Sequence, residues 1–218
     1  MKRQITDLQA QKNYPSRISI FLDGKFFCGV SEESALKHQL KKGLEIDEEK
    51  LKVLIHDEEF QKAKKYVYTI LARRMYSSKE ISDKLKRQGY TEDIIEDVVF
   101  KMESYGYVND EIFAEEWVQS RLNSKPKGRS AIKRELANKG IEEDTIENIL
   151  NETLSEPIQY DLALDLARRK IRSYREDDAM SAKRKLYAFL SRRGFGYDIV
   201  KSVMDEVMKE RKSPSLEF

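Results

Sequence analysis

One helical phrase occurs three times in this chain. Ile81, Leu85 and Gly89-Tyr90 return as Ile132, Leu136 and Gly140-Ile141, and again as Leu186, Leu190 and Gly194-Phe195. Three residues after each apolar residue stands an aspartate (Asp93, Asp144, Asp198), and two further on stand Ile95, Ile146 and Val200. The glycines lie 51 positions (140 minus 89) and then 54 positions (194 minus 140) apart. A unit of about fifty residues therefore organises most of the chain, which reads as an array rather than a single enzyme-like core.

The spacing gives the unit its form. Apolar residues four apart lie on one face of a helix, and the glycine falls where a residue of positive φ ends it. A second periodic run follows, Ile94, Ile95, Val98, Val99 and Met102 in the first copy and Ile146, Ile149 and Leu150 in the second. A third run precedes the pair: Ala63, Val67, Ile70 and Leu71 recur as Phe113, Ala114, Trp117 and Val118, then as Leu162, Ala163, Leu166 and Ala167. Each unit is thus three helices. Ser77 or Ser78 caps the middle helix of the first, Thr91-Glu92-Asp93 opens its last helix, and Pro126 with Gly128 marks the same connection in the second. In the third unit the connection runs from Tyr174 to Met180.

The first sixty residues differ. Ile18, Ile20 and Leu22 alternate before Asp23-Gly24, and Phe26, Phe27 and Val30 follow it, so a β-hairpin is expected at about 17–30. It should lean on a helix from Glu33 to Lys42, closed by Gly43, with a second short helix after Asp47. Residues 1 to 13 carry little apolar material and are expected to fray, as is the tail from about Arg211. The expected fold is mainly α: an elongated, curved tandem array of three three-helix repeats behind a small hairpin-and-helix segment. The divisions are 1–59, 60–110, 111–156, 157–211 and a tail at 212–218, with the first boundary near Asp57 to Phe60.

A lone cysteine, Cys28, allows no internal disulfide and suits a reducing compartment. No apolar run approaches the ~18 to 20 residues of a membrane span, and Met1-Lys2-Arg3-Gln4 opens no signal sequence. A cytoplasmic protein, away from membranes, is expected.

The net charge of +2 hides a segregation. Gln61 to Gly89 holds nine basic and two acidic residues, whereas Tyr90 to Glu116 holds one and nine. Arg121 to Lys139 holds seven basic and one acidic, and Gly140 to Glu156 none and six. On these counts the first two helices of each unit are expected to be basic and the last acidic. A charge run is usually a solvated face, and neighbouring helices of opposite sign complement one another. Three basic blocks in register nevertheless suggest a ridge suited to a polyanion or an acidic groove.

At this point the motifs acquire a family likeness. Leu71-Ala72-Arg73-Arg74-Met75-Tyr76-Ser77, Leu85, Gly89-Tyr90, Tyr107-Val108-Asn109-Asp110, Phe113-Ala114, Arg121, Lys127-Gly128-Arg129, Ile132, Leu136 and Lys139-Gly140-Ile141 together resemble the RecX family, bacterial regulators of the RecA recombinase. The likeness is strongest over residues 60 to 156, and the hairpin segment is similar to the extension of longer, Gram-positive-type members. Met75 stands where relatives often carry a charge. A monomer is expected, and the resemblance implies a tandem array of three-helix units that docks in the groove of the RecA filament on single-stranded DNA. There it would suppress ATP hydrolysis and strand exchange and promote filament loss, acting in recombination, repair and the SOS response, with weak, salt-dependent binding to free single strands.

The contact ridge would run through Arg73, Arg74, Lys86 and Arg87, then Arg121, Lys127, Arg129, Lys133 and Arg134, then Arg168 and Arg169. Tyr76 and Tyr174, beside arginines, are the candidates for base stacking. Reversing Arg129 and Lys133 together is expected to weaken inhibition with little change in melting temperature. No catalytic residue, metal site or cofactor is expected. Gly128-Arg129-Ser130 is one glycine before a helix rather than a phosphate loop, and His38 and His56 lack ligand-like company. The three repeated aspartates suit first-turn dipole compensation. Two other classes stay open: a helix-turn-helix nucleic-acid binder or transcriptional regulator, which the acidic last helix disfavours, and a protein scaffold, whose common helical versions have shorter periods.

Overall fold

The structure, a computed structural model, describes residues 2–124, 126–175 and 178–212. It forms two compact units, Met1–Asn109 and Asp110–Phe218.

In the first unit β1 (Lys2–Gln11), β2 (Tyr14–Leu22), β3 (Lys25–Ser31) and β4 (Glu45–Asp47) make an antiparallel sheet in the order β3-β2-β1-β4. The expected hairpin is β2–β3. Its turn residues Asp23 and Gly24 have φ of 48° and 80°, the two positive values a type I′ turn needs. The expected fraying of residues 1 to 13 is corrected, because Lys2–Gln11 pairs with β2 on one side and β4 on the other. An isolated hairpin is marginal in water, and β1 fills its open edge. Ile5 is fully buried beside Ile20, Leu22 and Val30, and Arg3 is held by Asp23 at 2.8 Å and Glu48 at 2.9 Å.

Helix α1 is shorter than expected, Glu32–Lys37, with Ser31 as N-cap accepting from the Ser34 amide. The chain leaves it through Gln39 at φ 50°. Gly43 is not its end but a turn residue whose amide donates to Ile5 O at 2.8 Å. The second short helix expected after Asp47 is instead α2, a single helix Glu48–Leu71 of 24 residues. The boundary expected near Asp57 to Phe60 falls inside it. Leu51 and Ile55 face the sheet core, while Ala63, Val67 and Ile70 enter the core of the first repeat. One helix serves both because its apolar positions continue at helical spacing across the junction.

The rest of the first repeat is α3 (Ser78–Arg87) and α4 (Glu92–Ser104). Ser77 caps α3 by accepting from Glu80 N at 3.2 Å, and Thr91 occupies the cap position of α4 without a side-chain bond. In the second unit, the second repeat is α5 (Asp110–Asn123), α6 (Arg129–Asn138) and α7 (Glu143–Thr153). The third is α8 (Glu156–Ile171), a 3-10 turn at Arg172–Tyr174, α9 (Ala179–Arg192) and α10 (Tyr197–Lys212). The tail expected to fray from about Arg211 is still helical at Arg211 and Lys212, and the rest of it lies outside the described residues. Each repeat buries its own cluster, with Leu85, Leu136 and Leu186 all fully enclosed; each such side chain contributes about 1.5–3 kcal/mol.

The repeated glycines have the expected conformation, with φ of 83° at Gly89, 82° at Gly140 and 88° at Gly194. In every copy the glycine amide bonds three residues back and the next amide five back, as in Gly140 N to Ala137 O at 3.0 Å and Ile141 N to Leu136 O at 3.2 Å. This closes the helix with its last carbonyls satisfied and returns the apolar residue onto the core.

Candidate functional site

Ion pairing sorts the expected ridge residues. In the first unit, Arg73 is exposed and holds no ion pair among the described residues. Arg74 pairs with Glu80 at 3.2 Å and lies 3.6 Å from the centre of the Tyr76 ring. Tyr76 itself is 9% exposed, belongs to the repeat core and also receives Lys84 at 5.0 Å. Stacking of Tyr76 on a base is therefore corrected: its ring is covered by the protein's own cations. Lys86 reaches Glu92 at 3.5 Å, and exposed Arg87 donates to Asp83 O at 3.0 Å.

In the second unit the basic middle helix of the second repeat is tied to the acidic last one. Lys133 Nζ sits between Glu143 at 2.8 Å and Glu147 at 2.6 Å, and Arg129 joins Glu147 and Asn151. Glu143, foremost, and Glu147 raise the Lys133 ammonium above its ordinary value, and Lys133 with Arg129 hold the Glu147 carboxyl low. Glu135 is a second hub, accepting from Trp117 Nε1 at 2.9 Å, Arg121 Nε at 2.6 Å and Lys127. Burial pushes this carboxyl up, but Lys127, Arg121 and Trp117 outweigh that and lower it. Arg121 and Lys139 each lie 4.1 Å from the centre of the Trp117 ring, which stacks on Phe113.

Arg134 is exposed and donates only to Ser130 O, at 3.3 Å. Arg168 spans Glu206, at 2.8 Å, and Glu210, and Arg169 lies 3.9 Å from Asp165. Tyr174 is half-buried against the third-repeat core, with Lys170 and Lys185 at 5.2 and 5.8 Å from its ring centre. The ridge residues left without a carboxylate partner among the described residues are thus Arg73, Arg87 and Arg134. Among the cations that the sequence reading passed over, exposed Lys183, Arg184 and Arg192 on α9 hold no ion pair among the described residues. The signal was present, since Ala179 to Arg193 contains five basic residues and no acidic one.

No group of three or more histidine, cysteine or acidic side chains suited to a metal occurs among the described residues. Cys28 lies in β3, where burial, aided by the charge of Glu59, pushes its thiol up to about 12. Such a thiol is not a ready nucleophile. No described helix is long and apolar enough to cross a membrane.

Four family models match the chain in order: the regulatory protein RecX N-terminal domain over residues 3–47, and the first, second and third three-helix domains of RecX over 63–102, 109–150 and 158–204. The chain is 35% identical over 204 residues to the regulatory protein RecX of Clostridioides difficile (strain 630), covering 94% of this chain and 95% of that one. It is 33% identical over 207 residues to the regulatory protein RecX of Clostridium botulinum (strain Eklund 17B / Type B), covering 94% and 96%. A crystal structure of regulatory protein RecX superposes with a TM-score of 0.66 at 28% identity, covering 93% of this chain and 99% of that one.

Proposed function

The chain belongs to the RecX family of regulatory proteins, and on that premise we propose that it binds the RecA recombinase filament on single-stranded DNA and restrains it. It does so as a cytoplasmic monomer without chemistry of its own, lowering ATP hydrolysis, strand exchange and filament persistence. The observation that carries this reading is the tandem of three-helix units with exposed cations left over after their internal pairing: Arg73 and Arg87 in the first repeat, Arg134 in the second, and Lys183, Arg184 and Arg192 in the third. Such cations suit phosphate or an acidic protein groove.

The helix-turn-helix alternative fares worse on the same geometry. In the second repeat the would-be recognition helix α7 presents Glu143 and Glu147, already bound to Lys133 and Arg129, and a helix of that sign is repelled by a DNA groove.

The test is single-strand-stimulated ATP hydrolysis by the host's RecA with increasing amounts of this protein. The rate should fall, and the protein alone should hydrolyse neither ATP nor nucleic acid. An unchanged rate at saturating protein rejects the reading.

A further inference from the structure

The first repeat carries an exposed aromatic strip that no ion pair or core contact uses up. Its α4 ends in a second glycine turn, where Gly106 has φ 72° and donates to Glu103 O at 2.8 Å while Tyr107 N returns to Met102 O at 3.0 Å. Val108 is buried just beyond. The turn is therefore pinned on both sides, and it holds Tyr105 and Tyr107 out at 51% and 59% exposure. Tyr68, one turn on from Lys64 along α2, meets Tyr107 edge-on with ring centres 5.5 Å apart and planes at 84°. Tyr105 meets Tyr107 in the same way, at 6.2 Å and 88°. Perpendicular rings leave separate faces and slots between them rather than one smooth apolar groove. Lys101 lies 4.6 Å from the centre of the Tyr105 ring, and Lys64 5.4 Å from that of Phe60. Lys101 thus accompanies a ring of the strip, while Lys64 stands one helical turn from Tyr68 on α2.

We propose that Tyr68, Tyr105 and Tyr107, with Lys64 and Lys101, form a binding site for unpaired nucleic-acid bases. The exposed rings of Tyr68 and Tyr107 stack any base, and because Tyr90 to Glu116 is acidic apart from Lys101, the hold comes chiefly from stacking, with Lys64 and Lys101 offsetting the carboxylates. A duplex hides its base faces, so the site discriminates for single strands. An apolar peptide would gain little from rings set on edge with a lysine over one of them. The site deepens the proposed function by giving the chain its own hold on the strand inside a filament, and because it is tested without recombinase the two readings fail separately.

The experiment is fluorescence anisotropy of a labelled oligothymidine, alone and as a duplex, with the full chain at low salt. The double variant Tyr105→Ala/Tyr107→Ala should lose about tenfold or more in affinity for the single strand, whereas Tyr105→Phe/Tyr107→Phe should keep it. Lys101→Glu should flatten the salt dependence by about one unit of slope. Circular dichroism checks the fold of each variant. Should the alanine variant fail to fold, photocrosslinking of a 4-thiothymidine strand to the parent protein replaces it, with the adduct expected at Tyr68, Tyr105 or Tyr107. The proposal is overturned by a folded alanine variant that binds as the parent does, by equal losses in the phenylalanine variant, or by adducts confined to other residues. Unchanged oligonucleotide binding with lost recombinase inhibition would assign the rings to a protein surface and overturn it too.

Discussion

Gly128 and Gly194 meet backbone to backbone: a Cβ on Gly128 would lie 2.3 Å from the carbonyl oxygen of Gly194, and one on Gly194 would lie 2.4 Å from Ala131 N. The contact joins the second repeat to the third. Gly128 is the N-cap of α6 and has no side chain with which to cap it, so the free amides of the first turn find partners across the junction. Ser130 N donates to Gly194 O at 3.2 Å, and Arg129 N to the buried Gln159 side chain at 3.3 Å. Gly128 N itself donates to Arg193 O at 2.9 Å. In the first unit the corresponding glycine, Gly89, is covered by the sheet instead, since a Cβ there would strike Arg17 at 2.5 Å and Tyr14 at 2.8 Å.

Gly194→Ala should therefore cost more than positive φ alone explains. At Gly106, which also has positive φ but open space around it, alanine should lose about 1 kcal/mol. At Gly194 the loss should exceed about 2 kcal/mol, because α6 must also move. Urea unfolding of the two variants measures the difference, and equal losses would show that the junction is not tight.

Reversing Arg129 and Lys133 is not the neutral surface change that charge counting suggests. Lys133→Glu places a third carboxylate beside Glu143 and Glu147, the partners it now holds at 2.8 and 2.6 Å. The melting temperature should fall, the fall should shrink in high salt, and Glu147→Lys in the same chain should recover part of it. Arg73→Glu and Arg134→Glu, which break no ion pair among the described residues, should leave melting unchanged and are the proper probes of partner contact.

The sheet and α2 are locked by a buried ion pair. Arg17 Nη1 lies 2.6 Å from Glu59 Oε2, both side chains being under 5% exposed. Arg17 also donates to Gly29 O at 3.2 Å and lies 5.1 Å from the centre of the Tyr90 ring. Glu59→Gln should destabilise the protein by about 3–5 kcal/mol by leaving a buried guanidinium without its counter-charge. Arg17→Met with Glu59→Leu should recover much of that loss. Denaturant midpoints decide, and a Glu59→Gln loss below about 1 kcal/mol would contradict the pair's burial as described.

Acid should loosen the seat of α1 on α2. Burial pushes the Glu58 carboxyl up, but the Lys37 ammonium, the His38 ring 3.0 Å away and Ser34 outweigh that and bring it down to about 2 from an ordinary 4.5. The folded value lies below the unfolded one, so this contribution is complete above about pH 4.5 and disappears as pH falls towards 2. Urea midpoints measured across that window should decline less steeply for Glu58→Gln than for the parent. Identical slopes would remove Glu58 from the acid response.

The three-helix repeats could be read from the sequence because their signals are local: a four-residue apolar spacing fixes a helix face, and a glycine of positive φ can end a helix within its own turn. Local patterns also carried the Asp23-Gly24 hairpin and the Ser77 cap. The strand Lys2–Gln11 could not be read, because it owes its conformation to hydrogen bonds with β2 and β4, and its own residues show little alternation. The continuity of α2 through Asp57 to Phe60 was hidden for a related reason: its two halves face different cores, a change of partner rather than of period. The ridge shows the same limit. Charge counts per segment are sequence properties, but only packing decides that Lys133 and Arg168 face carboxylates, that Arg74 covers Tyr76, and that Arg73 and Arg134 do not share that fate. Electrostatic and stacking energies fall off over a few ångströms, and distances on that scale between residues remote in sequence are set by tertiary structure alone.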